Sequence, residues 1–243
     1  MATSQWINNE LHQASDVMEK SLLAERFRGY LPVIIDVETA GFNAQTDALL
    51  EIGLTTVDMN DAGRLSVKDA YSFDIEPFEG ANLEPSALEF TGIDPSDPQR
   101  IAISEQDALK EVFAIVRNEI KKYHCKRAII VAHNATFDYQ FLTAAINRTN
   151  VKRNPFHPFS TMDTATLGGF VYGHTVLATA CKIAGIEMDN EKAHNAAYDS
   201  QVTAQLFCEM VNLWLDLGGW EKAMKLQEKR LEKNPSSATK AED

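Results

Sequence analysis

Apolar positions along this chain switch between a period near two and a period near 3.6, and the switching outlines an α/β domain. Leu31-Pro-Val-Ile-Ile-Asp-Val-Glu38 is a short β-branched run and reads as a buried strand. Residues 49–57 read as a second strand, 58–63 as a turn and 70–75 as a third strand, an antiparallel meander with short connections. Residues 83–90 suggest one or two helical turns ahead of Thr91-Gly92. From Ser104, an N-cap with Asp107 three residues on, Leu109, Val112, Phe113, Val116 and Ile120 keep helical spacing, and Lys121 and Lys122 suit the C-terminal end. Residues 128–132 form another buried-strand run, 136–148 a helix, 151–160 (with Pro155 and Pro158) a loop, and 163–171 and 176–184 further helices. The last strong helix spans 196–217, with Val202, Leu206, Met210, Leu213 and Leu217 as its stripe and Gly218-Gly219 as its stop. A meander followed by strand–helix alternation predicts a mixed sheet with helices packed on it.

Composition adds boundaries to that picture. At 243 residues one domain is expected, over 1–220 with its core at about 30–217, and 221–243 reads as a polar tail, helical at first and then disordered. Residues 1–25 are mixed and partly helical in pattern. No apolar run is long enough for a membrane span, and the N-terminus lacks the basic and apolar regions of a secretory signal. Three scattered cysteines form no C-x-x-C pair, which argues against a zinc site or a disulfide framework and suits the cytoplasm. A net charge of −12 excludes a bulk basic field, so any grip on nucleic acid must be a local patch.

Three short motifs could carry chemistry. Asp36 and Glu38 stand at i and i+2 at the end of a strand, so their carboxylates project together. Adjacent anions raise one another's pKa unless a cation neutralises them, and oxygen clusters of this kind suit Mg²⁺ or Mn²⁺. The alternative is a strand that simply runs out into a solvated loop. In His133-Asn-Ala-Thr-Phe-Asp138 the Asp falls in a first helical turn, where a dipole-stabilising role is the alternative. In His194-Asn-Ala-Ala-Tyr-Asp199 the Asp begins the last helix and the His precedes it on a loop, free to approach a water as a general base.

Together these motifs, in this order, resemble the DEDD exonuclease superfamily in its histidine-bearing (DEDDh) branch, over about residues 30–215. Asp36-Val-Glu-Thr-Ala-Gly-Phe42, Ala87-Leu-Glu-Phe-Thr-Gly-Ile93, Arg153-Asn-Pro-Phe-His-Pro-Phe159 and Leu217-Gly-Gly-Trp220 are similar to segments of the ribonuclease T family. The resemblance implies a ribonuclease H-like fold with a five-stranded mixed sheet. It implies two Mg²⁺ ions (Mn²⁺ as substitute) held by Asp36, Glu38, Asp138 and Asp199, with His194 as general base. It implies stepwise 3'→5' removal of nucleoside 5'-monophosphates from single-stranded 3' ends of tRNA and other stable RNAs, with single-stranded DNA as a further substrate. Phe42, Phe90, Phe137 and Phe159 match the family phenylalanines that stack on terminal bases, and Asp163 matches an acidic position with a supporting role. Arg26, Arg28, Lys121, Arg127 and Lys152 match a basic patch that feeds RNA to the opposite subunit of a homodimer. Where the family carries an acid beside Pro85, associated with sensing the terminal base, this chain has Ser86, with Glu89 the neighbouring acid.

Rival readings stay open on sequence. A DNA-proofreading or oligoribonucleotide exonuclease would share the chemistry, though the phenylalanines and the Asn-Pro-Phe-His-Pro-Phe segment point away from both. A catalytically dead RNA-binding module would need an altered ligand, and all five key positions are intact. A metalloprotease is disfavoured because no His-Glu-x-x-His run exists.

Overall fold

A computed structural model describes residues 21–189 and 195–233. Its element order is α1 (Leu22–Arg26), β1 (Tyr30–Thr39), β2 (Leu49–Met59), β3 (Leu65–Asp74), α2 (Pro85–Thr91), α3 (Glu105–Lys122), β4 (Arg127–Ala132), α4 (Thr136–Thr149), β5 (Phe156–Asp163), α5 (Thr164–Tyr172), α6 (Leu177–Ile183), α7 (Ala196–Asp216) and α8 (Gly219–Lys233). The strands form one five-stranded sheet in the order β3-β2-β1-β4-β5. β1–β2 and β2–β3 are antiparallel, while β1–β4 and β4–β5 are parallel, so the sheet is mixed.

Register decides which side chains meet the helices. Ile34, Asp36 and Glu38 of β1 lie opposite Thr55, Gly53 and Glu51 of β2, and paired residues share a face. On that face Thr55 Oγ1 lies 2.8 Å from Ser200 Oγ of α7, and a Cβ added to Gly53 would lie 1.9 Å from the Ala196 carbonyl oxygen. Helix α7 therefore lies directly on β2, with glycine at the contact because no side chain fits. Alternation sends Ile35, Val37, Ile52 and Leu54 to the other face. They share one buried cluster with Leu109, Val112, Phe113 and Val116 of α3 and Phe141 and Leu142 of α4.

Local signals account for the helix boundaries. Ser104 caps α3 by accepting from the Asp107 amide, and Pro85 opens α2, which Gly92 closes in the left-handed region at φ 69°. Of the α7 stripe, Val202, Leu206 and Met210 are buried, while Leu217 is exposed beyond the end of the helix. Helix α8 follows at once and has no buried residue among those described. No described helix is long and apolar enough to cross a membrane.

The expected loop over 151–160 is a correction, because its second half opens strand β5. Ala128 pairs with Phe156, the register slips, and pairing resumes at Ile130–Thr161. A strand at the sheet edge tolerates Pro158 because no neighbour needs its missing N–H, so the prolines misdirect a local reading. The third strand also begins earlier than expected, at Leu65 instead of 70.

Candidate active site

Asp36 and Glu38 stand on the α7 face at the C-terminal end of β1, and Asp199 enters from the first turn of α7. Carboxylate oxygens of these three residues lie within 4.8 Å of one another. Asparagine 195 makes that placement by capping α7 through the Tyr198 amide, 3.0 Å away. Asp138 joins from the first turn of α4; it is only 4% exposed and is among the anions that act on Asp36. Segments at both ends of the domain thus bring four acids to one sheet end. His194, the expected base, lies outside the described residues, immediately before the cap at Asn195.

Electrostatics show what this arrangement requires. Burial first, then the charges of Asp138, Glu38, Asp199 and Glu51, push the Asp36 carboxyl well above its ordinary range. Burial, Asp199 and Glu51 push Glu38 up to about 8. Burial raises Asp138 as well, and its backbone hydrogen bonds to its own amide and that of Val37 offset this only in part. The charges that act on Asp36 and Glu38 are those of neighbouring acids, the situation a bound cation relieves. The donors among the described residues are hard carboxylate oxygens, a set that fits a divalent cation.

Glu51 was not singled out by sequence, yet it belongs here. It is buried opposite Glu38 and accepts the Ala196 amide at 3.4 Å, tying β2 to the start of α7. Burial raises its pKa, while that amide and the Ser72 hydroxyl lower it. The signal was available: an acid inside the apolar run Leu49-Leu50-Glu51-Ile52 has no reason to be there unless something pairs with it.

Three of the four expected phenylalanines are open to solvent. Phe42 is 88% exposed, Phe159 80% and Phe90 66%, on three different segments. Phe137 is half-buried against Phe141 and meets Phe42 edge-on at 6.2 Å between centroids. Asp163 caps α5 and accepts the Asn134 amide at 3.1 Å, so it braces the loop that leads to Asp138. His133 bridges the same corner to Thr164 and to the Thr175 carbonyl, each at 2.9 Å. Ser86 and Glu89 are both exposed on α2, beside Phe90.

The basic residues lie elsewhere. Arg127 pairs with Tyr30 at the start of β1, Arg28 lies just before that strand, Arg26 ends α1, and Lys121 lies in the last turn of α3. Lys152 is exposed on the loop before β5. Six to eight residues of extended β1 separate Tyr30 from Asp36 and Glu38, roughly 20–25 Å.

Residues 33–207 match the RNase_T family, described as an exonuclease. The ribonuclease T of Photorhabdus laumondii is 62% identical over 206 residues, 85% of this chain and 95% of that protein. That of Hahella chejuensis is 60% identical over 83% of this chain and 92% of its own length. This chain belongs to the ribonuclease T exonuclease family. Two solved structures are similar in fold. One is the nuclease domain of 3'hExo, a DEDDh family member bound to rAMP, with TM-score 0.59 and 20% identity over 74% of this chain and 91% of that one. The other is the zinc-bound form of an E. coli exonuclease I–single-stranded DNA complex. It has TM-score 0.58 and 16% identity, covering 81% of this chain and 45% of that larger one. This chain thus has the expected ribonuclease H-like fold, a five-stranded mixed sheet flanked by helices.

Proposed function

We propose that this chain is a 3'→5' exoribonuclease that trims short single-stranded 3' ends of tRNA and other stable RNAs, and also single-stranded DNA. The observation that carries the reading is the convergence of the carboxylate oxygens of Asp36, Glu38 and Asp199 within 4.8 Å, with Asp138 acting on Asp36. As a member of an exonuclease family the chain is a phosphodiester hydrolase.

Asp36, Glu38, Asp138 and Asp199 would hold two Mg²⁺ ions, with Mn²⁺ as a substitute. Bound there, such a pair lowers the pKa of a water and offsets the charge that develops on the departing 3'-oxygen. His194, which precedes the α7 cap in the sequence, would take the proton from the attacking water. The water oxygen bonds to phosphorus, the bond to the 3'-oxygen breaks, that oxygen leaves as a hydroxyl, and the released nucleotide keeps a 5'-phosphate. Phe42, Phe90, Phe137 and Phe159 stack on the last bases, each contact worth about 1–3 kcal/mol and available only to an unpaired base. Single-strand preference follows from that requirement. Ser86 in place of an acid leaves Glu89 as the group beside Phe90 that can meet a terminal base.

Arg26, Arg28, Lys121, Arg127 and Lys152 sit at the opposite end of the sheet from the carboxylates of their own chain. A homodimer that presents this patch to the partner's active site accounts for the separation. Free thiols at Cys125, Cys181 and Cys208 suit a cytoplasmic setting. The catalytic domain would end near residue 220, ahead of the polar segment 221–243.

The test is 3'-labelled tRNA bearing its CCA end, incubated with Mg²⁺ or EDTA, alongside Asp199→Asn. Single nucleotides should leave with Mg²⁺ only, and the variant should melt normally while releasing none. Near-normal turnover by Asp199→Asn would refute the metal assignment.

A further inference from the structure

The loop between β1 and β2 holds Phe42 in solvent, yet its backbone is anchored from beneath by one buried carboxylate. Asp47, 4% exposed, accepts the Asn43 amide at 2.9 Å and the Thr46 hydroxyl at 2.8 Å. It accepts the Asn82 side-chain amide at 3.1 Å and is also hydrogen-bonded by the Phe42 amide. Burial alone would raise its pKa, but these donors outweigh burial and hold it below its ordinary value, so it is ionised at neutral pH. A Cβ at Gly41 would lie 2.1 Å from Asp47 Oδ2, so glycine there is what lets the carboxylate sit under the loop.

Asn82 makes this more than a loop device. Its backbone amide donates to Thr46 O at 2.8 Å, its carbonyl accepts from Ala48 at 3.1 Å, and Glu84 donates to Ala40 O at 2.9 Å. Asp47 and Asn82 form a parallel β-bridge, and three residues after Asn82 begins α2, the helix that carries Phe90. One carboxylate thus braces two of the three segments that display exposed rings, those of Phe42 and Phe90.

We propose that Asp47 is a positioning residue that joins the Phe42 loop to the Asn82–α2 segment, presetting Phe42 and Phe90 to receive the unpaired end of a polynucleotide. The assignment rests on the exonuclease reading above. Its physical basis is preorganisation: a binding loop already ordered does not lose that conformational freedom when the strand arrives. Without Asp47 the Phe42 and Asn43 amides and the Thr46 hydroxyl lose this acceptor, the Asn82 amide keeps only its bond to Glu84, and ordering of the loop is deferred to the binding step. Affinity should fall while the carboxylate cluster, on other elements, keeps its rate.

Steady-state kinetics on a 3'-labelled single-stranded RNA pentamer with saturating Mg²⁺ would test this on the full chain, comparing wild type, Asp47→Ala, Asn82→Ala, Phe42→Ala and Asp47→Ala/Phe42→Ala. Asp47→Ala should raise KM on the order of 10-fold and leave kcat within about threefold. Asn82→Ala should act in the same direction but less. Because Asp47 acts through the ring, its effect should largely vanish in the Phe42→Ala background. A fall in kcat at constant KM, or single-variant losses that multiply in the double variant, would overturn the assignment. Should Asp47→Ala fail to give a folded protein by thermal melting, the same cycle with Asn82→Ala decides it. An inactive wild type sinks the exonuclease reading and this assignment with it; an active wild type with independent losses sinks only the role of Asp47.

Discussion

Acids crowded at one sheet end, raising one another's pKa, make the cation-free protein sensitive to pH in an unusual direction. Glu38 is the cleanest case, because it is 8% exposed and its pKa stands at about 8 against an ordinary 4.5. Below pH 4 both folded and unfolded chains hold the proton and there is no penalty. As pH rises from 4.5 to 8 the unfolded chain releases the proton while the folded chain keeps it, so the folded state binds more protons and stability falls. Above pH 8 the loss levels off. Each pH unit of displacement is worth about 1.4 kcal/mol, so Glu38 alone costs about 5 kcal/mol, a large share of a typical folding free energy of about 5–15 kcal/mol. At about 2–4 °C per kcal/mol for a domain of this size, the melting temperature in EDTA should drop by roughly 10 °C between pH 5 and pH 8.5. Saturating Mg²⁺ should remove most of that drop, with its largest stabilisation at the alkaline end. Differential scanning calorimetry across the two series measures both effects. A melting temperature in EDTA that is flat or rises over this window would refute the electrostatic account of the cluster.

Gly53→Ala should displace the start of α7, since the new methyl would sit 1.9 Å from the Ala196 carbonyl oxygen. Moving Asp199 by about 1 Å should cut kcat on the order of 10²-fold, measured on single-stranded RNA with the melting temperature followed in parallel; full activity would mean that the helix tolerates the shift. Arg148 pairs with Glu105 at 2.7 Å, donates to the Ala44 carbonyl and lies 4.1 Å over the Phe78 ring. Arg148→Ala leaves Glu105 buried without its partner and should cost about 3 kcal/mol in urea unfolding, against near-neutrality if the pair were surface-like.

Much of the site was legible in the residue order because its parts obey local rules. The i, i+2 pair on β1 had to share a face, Asp138 had to open a helix after β4, and Asp199 had to open the last helix. Period and capping are properties of a few neighbouring residues, so a linear reading recovers them. Residues whose role is set across the sheet were invisible by the same logic. Glu51 matters because register puts it opposite Glu38, Gly53 because α7 lies on β2, and Asp47 because its acceptor atoms reach Asn82, thirty-five residues on. Strand β5 was misread because its prolines are permitted only by an edge position, which is a fact about neighbours in space. The sequence by itself determined the identity and order of the acids, the helices and the inner strands. Tertiary structure alone decided how closely the acids approach, which of them share a face with α7, and which side chains hold the aromatic loops in place. Distances between remote segments depend on register and packing, and no local spacing encodes them.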